Sequence, residues 1–303
     1  MRLVMGVYDA PQWLLSAFVR SALGAGATAP PEEIKTAGVA LVDRWSSKGR
    51  DFHNLKHLVD VLARVDELAA ETHEPELVRL AAWYHGAIFD SADAAAYANR
   101  GGEDELASAR LALEELTALG VSEKRARRVH DLVVALRRHN TDASDFDCAV
   151  LCDADLAMLA AEPQRYKSYL HDIRAEYAHL PVEHYVRARV NIVRKLLGRT
   201  SLFVSPLGAA WEEAARQNLG AELQRLEKEL AKIDAANAES GTAPSDGHAP
   251  AAAEAGAPGE GGTTPSGQGD ATAPGTGTGA PVAGESASGV RTSVAAQPPT
   301  ARR

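Results

Sequence analysis

Asp51-Phe-His-Asn-Leu-Lys-His57-Leu-Val-Asp-Val-Leu-Ala-Arg-Val-Asp-Glu-Leu68 repeats its apolar residues at Leu55, Leu58, Leu62, Val65 and Leu68. That three-to-four spacing returns to one face of an α-helix. Val186, Val190, Val193 and Leu197 repeat in the same way, and Pro31-Glu-Glu33 opens a further helix running to about Ser46, with proline in the first turn and acids set against the helix dipole. Gly120 is placed to end the helix carrying Leu113 and Leu116, and Ser122 to cap the next, which carries Val129, Leu132, Val133 and Leu136. No sustained apolar-polar alternation argues for a sheet. The expectation is an all-α bundle of about eight to ten helices.

Composition divides the 303-residue chain in two. From Ser240 to Arg303 there is no Leu, Ile, Met, Phe, Tyr or Trp, and Ala, Gly, Pro, Ser and Thr dominate. Such a segment cannot bury enough apolar surface to offset its conformational entropy, so a disordered tail is expected over 237–303 and one helical domain over 1–236. The net charge of -9, from 32 basic and 41 acidic residues, disfavours attraction to a polyphosphate backbone, so no nucleic-acid partner is expected. Met1 to Ala27 has the early Arg2 and small-residue ending of a secretion signal, but Asp9, Pro11, Gln12 and Arg20 interrupt its apolar run, and it reads as a helix entering the domain. No stretch has the roughly 18 uninterrupted apolar residues of a membrane span, so no membrane partner is expected and the cytoplasm is the expected compartment. Cys148 and Cys152, four residues apart, read as buried reduced thiols.

Ionisable groups inside apolar stretches mark the candidate site, because burying them is costly without partners. His53 and His57, four apart, project from one face if both are helical, an arrangement that suits a metal or a phosphate. His85 lies in Trp83-Tyr-His-Gly86, and Asp153 and Asp155 lie in Cys152-Asp153-Ala-Asp155. Asp155 should not share the face of Asp153, and a capping role or a bond to a neighbouring helix is expected for it. His139, after Arg137 and Arg138 at the end of an apolar helix, either compensates the dipole or, if that end faces the cavity, grips phosphate oxygens. Arg189, inside an apolar helix, needs an anionic partner, for which Glu176 is a candidate. Glu105 reads either as a solvated first-turn acid or as a group orienting a histidine, and Ser91 to Gly102 as a loop at the mouth of the site.

The order His53-x-x-x-His57, His85 in an aromatic-flanked helix, then Asp153-Ala-Asp155 resembles the HD superfamily of metal-dependent phosphohydrolases, and more narrowly a bacterial branch of it. Ile173-Arg-Ala-Glu-Tyr-Ala-His179 and Ala215-Arg-Gln-Asn-Leu219 carry the likeness on, so that it runs from about Trp13 to Leu230. The resemblance implies an HD-domain-like helical bundle, with His57, His85 and Asp153 as ligands of a divalent metal ion (Mn, Fe, Ni, Co, Zn or Mg) and His53 as the catalytic group protonating the departing oxygen. It implies hydrolysis of a phosphate ester of a small phosphorylated molecule such as a nucleotide. The chain departs from the superfamily pattern at Gly86, where the aspartate of the His-Asp pair would stand. Asp90, one turn on, would be displaced along the axis if the helix continued. That departure points to a second function, a catalytically impaired HD-like domain that binds a nucleotide or a protein partner, and a third reading is a structural bundle tethered by its tail.

Overall fold

The computed structural model describes residues 11–92, 102–139, 141–142 and 144–240. Expectations for residues 1–10, most of the 91–102 loop, and the tail beyond Ser240 fall outside them. Ten α-helices occur among the described residues: α1 Gln12–Gly24, α2 Pro31–Trp45, α3 Leu55–Glu67, α4 Pro75–Tyr84, α5 Glu105–Ala118, α6 Glu123–Ala135, α7 Phe146–Leu156, α8 Pro163–Glu176, α9 Val182–Leu197 and α10 Glu212–Ser240. Among the described residues the one sheet is a hairpin of two-residue strands, β1 Phe89–Asp90 against β2 Gly102–Glu103, antiparallel with Phe89 opposite Glu103. The fold is all-α. No helix among the described residues is long and apolar enough to cross a membrane.

Local chemistry explains the boundaries. Pro31 starts α2 and Glu32 and Glu33 occupy its first turn. Gly120, with φ of 82°, turns the chain after α5 in a conformation that L residues rarely adopt. Leu55, Leu58, Val61, Leu62 and Val65 form the buried stripe of α3, each worth about 1.5–3 kcal/mol when fully buried. α7 differs, since Asp147 through Leu156 are all buried. A helix enclosed on every side belongs at the centre.

Two apolar clusters meet at α7. One is built from α1 to α6 and the first part of α7, around Phe18, Trp45, Leu58, Trp83 and Val133. The other holds Leu156, Tyr169, Ile173, Val193, Phe203 and Leu219, drawn from the end of α7 through α10. Trp211 packs against both. The second cluster encloses the buried Arg189, whose Nε and Nη2 donate to Glu222 at 2.6 and 3.1 Å and whose Nη2 also reaches the Tyr169 hydroxyl at 3.1 Å. Glu222, rather than Glu176, is therefore the acid that partners Arg189. Cys148 and Cys152 are buried and free, as their spacing suggests.

Candidate metal centre

Along the seam between the two clusters, three ligand-capable atoms come together. His57 Nε2 lies 3.3 Å from His85 Nε2 and 3.4 Å from Asp155 Oδ1, and His85 Nε2 lies 3.5 Å from the same oxygen. Donors held about 2.0–2.1 Å from a common ion in tetrahedral arrangement stand about 3.3–3.4 Å from one another. His57, His85 and Asp155 are all buried and form a group able to hold a metal ion.

Each donor is aimed by a second contact. His57 sits in the first turn of α3, whose N-cap Asn54 accepts from the backbone N–H of Lys56 and His57. His85 follows α4, and its Nδ1 lies 2.6 Å from the Ala82 carbonyl. A carbonyl only accepts, so Nδ1 carries the proton and Nε2 turns its lone pair toward the other two donors. Burial lowers the His85 pKa to about 4, which keeps the ring neutral at physiological pH. Asp155 presents Oδ1 to His57 and His85 while Oδ2 accepts from His139 Nε2 at 2.9 Å. Burial opposes the Asp155 charge, but hydrogen bonds from His139 and His57 outweigh it and hold the carboxylate well below its usual range. His139 reaches that position through a left-handed backbone, φ 41°, just beyond α6. It binds a carboxylate within the protein, a use that neither sequence reading of it anticipated.

The aspartate is not the one the resemblance assigns. Asp153 Oδ1 and Oδ2 accept the Val204 N–H at 2.9 and 3.1 Å, and Oδ2 accepts the Ser205 N–H at 2.8 Å. Two residues along a helix turn a side chain by about 200°. With Asp153 toward the 204–205 loop, Asp155 faces the histidines, and it rather than Asp153 is the carboxylate of this group. A second correction concerns His53. It precedes the extended N-cap Asn54 and lies outside α3, so the two imidazoles do not project from one helical face. It reaches the site all the same, its ring centroid 5.5 Å from that of His57.

His53 is held by Glu176, which accepts from its backbone N–H at 3.1 Å and from Nδ1 at 2.6 Å. Burial works against a charged ring there, but Glu176, with Glu103 and Asp155 beyond, raises the His53 pKa to about 9. Arg50 braces the segment by donating to the carbonyls of His53 and Ala87. Phe52, His53, His57, Asp155, Met158 and Tyr169 line a cleft with about 340 Å³ of empty space, including its mouth.

Of the remaining sequence candidates, Asp90 is exposed in β1 and accepts from the Ala92 N–H, so it does not stand in for the missing aspartate. Glu105 opens α5, its pKa raised by burial. The acid of this segment that approaches His85 Nε2, to 3.6 Å, is Glu103. Nothing in the run Gly-Gly-Glu103-Asp-Glu105 distinguishes it by pattern. No family model, curated protein or solved structure matches this chain.

Proposed function

We propose that the chain is an HD-type metal-dependent phosphohydrolase that cleaves a phosphate ester of a small molecule such as a nucleotide. The observation that carries this reading is the triangle of His57 Nε2, His85 Nε2 and Asp155 Oδ1, with edges of 3.3 to 3.5 Å at the cleft. The mixed imidazole and carboxylate set suits Mn, Fe, Co, Ni or Zn. A divalent ion bound there would supply a nucleophilic water near neutral pH and polarise a phosphoryl oxygen.

The chain's own groups account for the other requirements. Glu176 occupies Nδ1 of His53, which leaves Nε2 as the ring nitrogen to face a substrate. Its raised pKa keeps His53 protonated at neutral pH, ready to give a proton to the departing oxygen. Phe52, Leu156, Leu159 and Tyr169 give the cleft an apolar wall for the body of a small ligand. The resemblance to the HD superfamily supports the same class of reaction.

Elemental analysis of protein grown in metal-supplemented medium, paired with a screen of phosphorylated metabolites, tests the reading. The expected result is a bound transition metal and metal-dependent phosphate release, both lost in His57→Ala. Protein without metal and without turnover would overturn it. Gly86 supports a second reading, an HD-like domain that binds its ligand without catalysis. Tight nucleotide binding that persists in chelator would select that one.

A further inference from the structure

The space beside Gly86 is already taken. A Cβ at this position would lie 2.3 Å from Glu103 Oε1 and 2.4 Å from Trp45 Cη2, so the carboxylate of Glu103 and the indole edge fill the volume into which a side chain at 86 would grow. The hairpin accounts for the placement. Phe89 pairs with Glu103 and the Asp104 N–H donates to the Ile88 carbonyl at 3.0 Å, which sets Glu103 alongside the turn that follows His85. From there Oε1 stands 3.6 Å from His85 Nε2.

That oxygen has no hydrogen-bond partner, although the Glu103 side chain is only 7% exposed. A buried carboxylate oxygen without a donor is costly, and such groups mark positions where a ligand or ion belongs. The donor group beside it, His57, His85 and Asp155, contains a single carboxylate. Two neutral imidazoles with one carboxylate leave a dication half compensated, and a second carboxylate would complete the balance.

We propose that Glu103 is the fourth protein donor to the cation of the His57–His85–Asp155 site, delivered across the β1–β2 hairpin into the space that Gly86 leaves free. The inference rests on the metal-site reading above and deepens it. The carboxylate missing after His85 is supplied by a residue seventeen positions later in the chain. An aspartate at position 86 would not restore an empty position, because its Cβ would collide with both Glu103 and Trp45.

The test uses the full chain, freed of metal by chelator, and compares wild type, His57→Ala and Glu103→Gln by calorimetric titration with Mn(II) and Zn(II), by the visible spectrum of the Co(II)-loaded protein and by metal-free melting. Glu103→Gln is expected to weaken metal affinity by at least about tenfold and to change the Co(II) ligand-field bands. Its metal-free form should melt no lower than wild type, because an amide of the same shape preserves the packing and carries no charge to bury. Wild-type affinity and an unchanged spectrum in Glu103→Gln, with binding lost in His57→Ala, would overturn the role of Glu103 and leave the three-donor site standing. A marked drop in the metal-free melting temperature of Glu103→Gln would assign the residue to the fold and overturn the proposal. A wild-type protein that takes up none of the three ions would bring down both readings.

Discussion

Asp153 and Asp155 show how one residue's task follows from the direction it faces. Both are buried on a helix enclosed on all sides, yet Asp153 receives backbone N–H groups from Val204 and Ser205 while Asp155 meets His57, His85 and His139. Asp155→Ala should abolish metal uptake. Asp153→Ala should keep the metal but lose at least about 1–3 kcal/mol of stability, because it strands buried donors. Urea denaturation and metal titration of the two variants separate these outcomes, and metal loss in Asp153→Ala with retention in Asp155→Ala would reverse the assignment. At Gly86 the surrounding walls predict that even a methyl group is resisted. Gly86→Ala is expected to cost about 1–3 kcal/mol by overpacking, measured from the denaturation midpoint. A neutral result would mean that Trp45 and Glu103 move aside easily. In the sequence, the paired aspartates and His85 announced a polar site by standing among apolar neighbours. Which carboxylate pointed inward was illegible, since a helix buried all round has no apolar stripe from which to read its faces.

At the scale of elements, α3 joins fold to site through its first turn. Asn54 caps the helix, and His57 N–H is one of the two donors its side chain receives. Asn54→Ala should cost about 1 kcal/mol and loosen His57, with a measurable fall in metal affinity. Unchanged affinity in a destabilised protein would mean that packing alone orients the ring. The apolar period made α3 plain in the sequence, and proline with acids in the first turn made the start of α2 plain. His53 was misplaced because the same period does not say where the cap falls. Asn54, extended at φ -114° and ψ -175°, places His53 outside the helix, where Glu176 from α8 can take both its backbone and its ring N–H. The β1–β2 hairpin gave no warning either, since two residues per strand are too few for alternation to appear.

Across the whole molecule, the site draws on the segment before α3, on α3, α4, the end of α6, α7 and α8, and it lies where the two apolar clusters adjoin. Folding there gathers several titrating groups, so stability should depend on pH. For His53, folded and unfolded chains both hold the proton below the ordinary imidazole pKa of about 6.5, and the stabilisation by Glu176 is complete. Above it the unfolded chain loses the proton while the folded one keeps it to about 9. Glu103, pushed up to about 8 chiefly by burial, acts with the same sign in the lower part of that window. The metal-free protein should therefore lose stability as pH rises from about 6.5 to 9, measured by urea denaturation in chelator, and a flat profile would contradict both assignments. What the sequence determined by itself was the helical class and the presence of buried histidines and aspartates, because periodicity and the cost of burying charge act locally. Only the tertiary structure decided that Asp155 rather than Asp153 joins His57 and His85, that Glu176 holds His53, and that Glu103 occupies the space beside Gly86. Those contacts join residues far apart in the chain, and the packing that brings them together is set by the two cores as a whole.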